Sequence, residues 1–406
     1  MTTNLAHRST TDLPTIDPAE LMSDPHAAFR ILRETHPRIR LGGHSLMLLR
    51  AQEVIATFTD SATKQIEGKD YAALNDLPDG ATRRFYSDLF LFSNGQAHRT
   101  ARALFARSFS MSRIRARKAD IRAVADRIVR DLPRGRPFDF VDLMAARIPA
   151  EMIAELLGLD VADTPHFSRL VYSLSRGFTP AYPHELHDEI EAAVAELHNY
   201  VGRQLRHRLE QPTGDLLSLT AATWDEQRAV PFSNLVHQVM GMIIGGVDTT
   251  RAAFAMMISL LLQHPEQWAA VRSDPGLIPG AVSEALRYEP SVASITRVSV
   301  EPMILCGHAI AAGEVVTVNT MAAMRDPALY ADPDRFDIRR ADHPRLHLVF
   351  GHGPHRCIGE MLARLEMEEA LAALIEHAPH IELLAAPRMI GFGGLRQITP
   401  MQVSID

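Results

Sequence analysis

Phe350-Gly351-His352-Gly353-Pro354-His355-Arg356-Cys357-Ile358-Gly359 places one cysteine between a glycine-rich loop and a strong helix pattern, Gly359 to His377. Gly351 and Gly353 lack side chains, so backbone can lie close to a bulky flat ligand. Cys357 sits at a helix start, where free N–H groups and the positive dipole end favour a thiolate. His355, two residues earlier, is placed to meet an anionic group. A thiolate held this way is what an axial iron ligand needs. Two other readings of the stretch stand beside it. A cysteine near a helix start also serves as a small apolar residue. His343, His347, His352, His355 and Cys357 also cluster as zinc-type ligands, although structural zinc sites usually carry more cysteines and this chain has only Cys306 and Cys357.

Three further segments bear on the choice. Gly245-Gly246-Val247-Asp248-Thr249-Thr250 lies inside an apolar helical run. Two glycines there cost about 1 kcal/mol each relative to alanine, and close approach of a flat ligand would offset that. A threonine hydroxyl in mid-helix can bond the carbonyl four residues back, here Gly245, and loosen the helix locally. The alternative is a packing notch beside a solvated Asp248. Glu284 and Arg287, spaced i,i+3, share a helix face. Such pairs are usually surface ion pairs, but Arg335 is available to complete a buried triad. His98 and Arg102, spaced i,i+4, share another face. With Arg297 and His355 they can form a cationic ring for two carboxylates.

The 406 residues show no linker, repeat or low-complexity tract after about residue 15. We expect a flexible tail over 1–15 and a single domain over 16–406. The polar start, Met1 to Thr15, has no apolar core of a signal peptide. The apolar run Leu235 to Leu262 is long enough to span a bilayer but carries His237, Gln238, Asp248 and Arg251, each costly in lipid. It reads as a buried helix, with no membrane partner. A net charge of −7 argues against general nucleic-acid binding, and two cysteines far apart fit a reducing cytoplasm. Apolar periodicity predicts helices over 18–36, 96–106, 113–132, 141–158, 163–176, 184–211, 232–263, 265–273, 277–288 and 359–377. Strand patterns fall at 38–49, 296–300, 302–311, 314–320 and in a ribbon over 380–405, with a hairpin turn at Ala312-Gly313. Residues 321–350 read as a long ordered meander. The class is mainly α with small β-sheets (α+β).

In this order the segments resemble the cytochrome P450 family of haem-thiolate monooxygenases. The resemblance runs from about Asp17 to Asp406. The Phe-Gly-x-Gly-x-His-x-Cys-x-Gly pattern is matched in full, and the soluble bacterial class is matched by Ala331-Asp332-Pro333-Asp334-Arg335-Phe336-Asp337. Ser291 departs from the proline common at that place. The resemblance implies the P450 fold, a triangular helical prism with a long central helix over haem b (iron protoporphyrin IX). It implies Cys357 as the iron ligand, with Phe350 shielding the sulfur and Gly245 and Gly359 close to the cofactor. His98, Arg102, Arg297 and His355 would bind the haem propionates. Asp248 and Thr249 would deliver protons during dioxygen activation. Glu284, Arg287 and Arg335 would hold the meander that positions the cysteine loop.

The variable loop at 65–92, Phe178 to Tyr182, Gly241, Ile244, Ala293 to Ile295 and Phe392 are expected to meet substrate. These positions are mostly apolar or small, which suits a small-to-medium hydrophobic compound undergoing hydroxylation or O-dealkylation; Arg83 or Arg84 offers a place for a carboxylate. A peroxygenase or isomerase, or a haem sensor, would use the same loop; the Asp248-Thr249 pair argues against both. No flavin or iron–sulfur segment is present. A ferredoxin of the 2Fe-2S type and its NAD(P)H-dependent reductase are therefore the expected partners. The run Arg99, Arg102, Arg107, Arg113, Arg115, Arg117 and Lys118, with Arg356 beside the ligand, is basic throughout; some of it is expected to be internal, Arg102 at a propionate, and the remainder is the expected docking patch.

Overall fold

A computed structural model describes residues 13–43, 45–179, 181–344 and 347–406; of the expected tail, residues 1–12 lie outside the described residues. The described chain sorts into two compact units. The first comprises the described part of Met1–Gln65 with Pro279–Cys357 and Arg388–Thr399, and the second Ile66–Ile278, Ile358–Pro387 and Pro400–Asp406.

The first unit is built on a six-stranded sheet. Its strands run in the order Thr15–Ile16, Arg38–Leu41, Ser45–Leu48, Val315–Asn319, Ser294–Ser299 and Thr63–Gln65. The predicted strand 38–49 is a hairpin, with Arg38 opposite Leu48 and Leu41 opposite Ser45. It turns through Gly42 and Gly43, both at positive φ. The predicted helix 18–36 is two helices, Pro18–Leu21 and Pro25–Thr35. Asp24 caps the second, its Oδ1 accepting from Ala27 N at 3.0 Å, and Pro25 starts it. The hairpin expected at Ala312-Gly313 is a correction. Met303–Leu305 pairs with His308–Ile310 instead, through Cys306 and Gly307 at φ +51° and +84°. Two central residues at positive φ make the tight turn that matches strand twist, so the 302–311 run folds on itself. Val315–Asn319 is left to pair with Ser294–Ser299 and Ser45–Leu48. The core packs Ile16, Phe29, Leu32, Ile39 and Met47.

The second unit is helical around one axis, the helix Phe232–Gln263. Helices Arg147–Leu157, Thr164–Ser175, His187–Glu210 and Glu360–His377 all pack against it. It is largely apolar around its circumference, with His237, Gln238, Asp248 and Arg251 among its polar exceptions, and is buried for most of its length. A three-stranded sheet joins Ile381–Ala385, Gln402–Ile405 and Phe138–Asp139. Among the described residues five α-helices went unread in the sequence: Ala51–Thr59 and Thr320–Ala323 in the first unit, and Gly68–Leu74, Ala81–Asp88 and Leu216–Gln227 in the second. Two of them replace most of the loop expected over 65–92.

Candidate active site

In the first unit the cysteine loop is shaped by its own backbone. Gly351 stands at φ +71°, ψ −175°, a region essentially closed to residues with a Cβ. Gly353 is also at φ +71°, and a Cβ there would come within 3.2 Å of Phe58 O. Cys357 N donates to Phe350 O at 2.8 Å and Arg356 N to Gly353 O at 3.1 Å. The Arg356 guanidinium donates to Gly351 O at 2.7 Å and His347 O at 3.3 Å. Arg356 is thus a brace of the loop. Cys357 itself is exposed, two residues before Gly359, which caps the helix Glu360–His377. Phe350 is half-buried, its ring edge-on to His347. His355 is half-buried in the turn Gly353–His355. Arg297 is buried, its Nε and Nη2 both donating to Thr63, to Oγ1 and to O, at 2.7 Å.

The loop is tied to the Glu284–Arg287 pair. His347 Nε2 donates to Ser283 O at 3.0 Å. Glu284 and Arg287 are both 0% exposed and meet through two parallel bonds of 2.7 Å. Arg287 also donates to Met324 O, Pro333 O and Arg335 O, so one guanidinium pins three points of the meander. The expected third member is corrected. The Arg335 side chain is 64% exposed and faces Asp337; only its carbonyl serves the cluster. Arg340, buried, takes the place, 3.2 Å from Glu284, with His343 at 3.6 Å. Burial lowers the His343 pKa, partly opposed by Glu284. The sequence offered Arg335, Arg339 and Arg340 in one irregular stretch, and spacing could not choose among them.

In the second unit Thr249 Oγ1 donates to Gly245 O at 2.7 Å, as the spacing predicts. Gly245 is exposed within an otherwise buried stretch, and a Cβ there would meet nothing within 4 Å. Asp248 is not solvated: it is 2% exposed and gripped by Arg251 Nε at 2.9 Å and Nη2 at 2.5 Å. The Arg251 guanidinium lies over the Tyr172 ring, 4.4 Å from its centre. The sequence reading missed Arg251, although its i,i+3 spacing from Asp248 was visible. His98 is buried on the helix Gly95–Ala103. Burial lowers its pKa, and Arg102 and Arg99 push the same way. A cavity of about 390 Å³ is lined by Arg99, Arg102, Ala103, Ala106, Phe109 and Ile358.

The expected substrate residues divide. Phe178 joins Phe85, Tyr86 and Phe92, ring centres 5.4–6.2 Å away. Gly241 faces Leu89, whose Cδ2 would lie 2.6 Å from an added Cβ. Ile244 is buried one residue before Gly245. Ile295 approaches Gly351, 3.6 Å from an added Cβ. Ala293 and Phe392 are corrected: both belong to the first unit's hydrophobic core, with Phe392 edge-on to Phe29. Arg83 is engaged by Leu77 O at 2.7 Å and Asp79 at 3.6 Å. The basic segment is thinner than its sequence. Arg107 pairs with Glu226, Arg117 with Asp120 and Lys118 with Glu369. Arg99, Arg113 and Arg115 are exposed.

Among the described residues no three of His, Cys, Asp and Glu converge as a metal set. Of the five ligands in the zinc reading, His343 faces Glu284 at 3.6 Å and His347 bonds Ser283 O. Each unit by itself carries features that suit haem: the first an exposed cysteine on a loop that needs glycine at Gly351, the second open space over Gly245 and Arg102 lining a cavity.

Comparison with known proteins agrees. The family model for Cytochrome P450 matches residues 160–275 and 276–379. The chain is 34% identical to plant-inducible cytochrome P450-pinF1 of Rhizobium radiobacter over 404 residues, 99% of this chain and 95% of that one. It is 33% identical to mycinamicin IV hydroxylase/epoxidase of Micromonospora griseorubida, covering 70% of this chain and 71% of that one. The crystal structure of CalO2 superposes with a TM-score of 0.88 at 28% identity, over 99% of both chains. The chain belongs to the cytochrome P450 family, as a monooxygenase that binds haem b.

Proposed function

We propose that residues 16–406 act as one monooxygenase domain that inserts an oxygen atom from O2 into a small-to-medium hydrophobic substrate. The observation that carries the reading is the Cys357 loop, an exposed cysteine held by a backbone that tolerates only glycine at Gly351. Cys357 is the proximal thiolate ligand, with Phe350 beside it. Gly359 and Gly245 leave room for the macrocycle. His98, Arg102, Arg297 and His355 neutralise its two propionates. Bound haem supplies the redox chemistry that splits dioxygen, favoured by electron density from a thiolate ligand.

The chain's own residues hold and move the protons. Asp248, kept in place by Arg251, is the internal acid. Thr249 spends its proton on Gly245 O, so its oxygen is free to accept a hydrogen bond from an incoming water. Phe178, Gly241, Ile244 and Ile295 present apolar surface to substrate. The relative named as a hydroxylase/epoxidase supports hydroxylation as the reaction type, with O-dealkylation its equivalent at a carbon bearing oxygen. Electrons come from a 2Fe-2S ferredoxin and its NAD(P)H-dependent reductase, docking through Arg99, Arg113 and Arg115. Neither Cys306 nor Cys357 is in a disulfide, which fits a cytoplasmic enzyme. The test is a substrate identified by its spin-state shift, then turned over under ¹⁸O₂ with a ferredoxin and reductase. One labelled oxygen per product is the expected result. Turnover driven by peroxide alone, with no label, would overturn it.

A further inference from the structure

The helix Thr164–Ser175 carries four buried hydroxyls that make no well-formed hydrogen bond to protein among the described residues: Thr164 Oγ1, Ser168 Oγ, Tyr172 Oη and Ser175 Oγ. Spacings of four, four and three place them on one stripe. Thr164, Ser168 and Ser175 are 6%, 8% and 1% exposed. A buried hydroxyl left without a partner is destabilising, because it has lost its bonds to water and gained none in return. Native proteins meet that cost with ordered water where no side chain is at hand. Four such groups in a row on one helix therefore mark a hydrated seam.

The seam leads toward the Asp248 acid by way of Arg251. Tyr172 lies under the Arg251 guanidinium at 4.4 Å, and Arg251 holds Asp248. At the other end, Thr164 is flanked by the exposed Ala162 and Pro165. Burial pushes the Tyr172 phenol up to about 12, against the opposing pull of Arg251. Asp248 and the exposed Asp142 raise it further, and Ser168 lies close enough to lower it. The phenol therefore stays protonated at neutral pH, both donor and acceptor.

We propose that the hydroxyls of Thr164, Ser168 and Tyr172, bridged by buried water, form the path that returns protons from solvent to Asp248, with Arg251 as the positioning residue that holds the carboxylate at its end. The proposal rests on the reading of Asp248 as the internal acid. For each proton Asp248 gives up, Tyr172 passes on its own and takes one from the seam. The seam is refilled from bulk water, so every hydroxyl ends as it began and Asp248 alone changes charge and is restored.

Tyr172→Phe tests this, because it keeps the ring under Arg251 and removes only Oη. In the holoenzyme, coupled turnover should fall at least about tenfold, within the usual reach of acid–base groups. The solvent isotope effect on NAD(P)H consumption should rise. Ser168→Ala should move both in the same direction by less. In Asp248→Asn, adding Tyr172→Phe should cost little more, since both act on one path. The carbonyl-complex spectrum and the substrate spin shift should not change. A crystal structure of the holoenzyme should show water bridging Ser168 and Tyr172. Wild-type turnover and isotope effect in the Tyr172→Phe/Ser168→Ala double variant, or a dry seam, would overturn the proposal. Unchanged turnover in Asp248→Asn would instead remove the reading beneath it.

Discussion

The two units hold their reactive groups by opposite means. In the first, Cys357 is exposed, and its loop is shaped mainly by main chain: Cys357 N bonds Phe350 O and Arg356 N bonds Gly353 O, with the Arg356 side chain as a brace on Gly351 O. In the second, Asp248 is buried, and the side chain of Arg251 fixes its carboxylate. Main-chain geometry tolerates side-chain change wherever glycine is not required. A buried carboxylate held by one guanidinium does not, because removing either partner strands the other. The iron-ligand half should therefore fail through its scaffold, and the acid half through single side chains.

The scaffold gives the largest expected effect. Glu284→Ala leaves Arg287, fully buried, without its carboxylate, at a cost of about 3–5 kcal/mol. Denaturant unfolding and haem content should both fall sharply. Arg335→Ala, by contrast, should change stability by no more than about 0.5 kcal/mol, as exposed substitutions usually do. Equal losses in the two variants would restore Arg335 to the cluster and remove Arg340 from it.

The acid half comes next. Asp248→Asn should slow turnover by about 10²–10⁴-fold, with substrate affinity kept. Thr249→Ala should keep NAD(P)H consumption but release the equivalents as hydrogen peroxide. A fully coupled Thr249→Ala enzyme would show that its hydroxyl only packs against Gly245.

A charge cluster in the first unit sharpens the contrast by its pH dependence. Burial works to raise the Glu289 pKa, but His26, Arg396 and Arg325 together bring it down to about 2. Arg396 is 2.7 Å away and His26 2.8 Å. A carboxylate whose pKa is depressed in the folded state adds stability that is complete above its unfolded pKa and is lost as pH falls through the folded value. The gap between wild type and Glu289→Gln in thermal unfolding should be full at neutral pH and shrink from about pH 4.5 toward 2. A gap independent of pH would mean that packing, not charge, is what the variant loses.

The smallest effect is expected at the docking surface. Arg113→Glu with Arg115→Glu should slow reduction by an acidic ferredoxin at low salt and matter little at high salt, where exposed charges are screened. Substrate binding should not move. A salt-independent reduction rate would place the partner elsewhere.

The sequence made the long helix, the cysteine loop and the Thr249–Gly245 bond legible, because each rests on local spacing or on glycine chemistry. It hid whatever depends on distant partners. Ala293 and Phe392 read as pocket walls because apolar residues look alike whether they face a ligand or a core. Arg340 was hidden among neighbouring arginines of an irregular stretch. The helices Gly68–Leu74 and Ala81–Asp88 are too short to set up a clear period. They hold their place by burying Tyr71, Phe85 and Tyr86, which no local pattern announces.

The most direct test of the account is the spectrum of the reduced carbonyl complex, in wild type and in Cys357→Ala. Wild type should show the strongly red-shifted Soret band of a thiolate-ligated haem, and Cys357→Ala should lose it. The same band persisting without the Cys357 sulfur would contradict the central assignment.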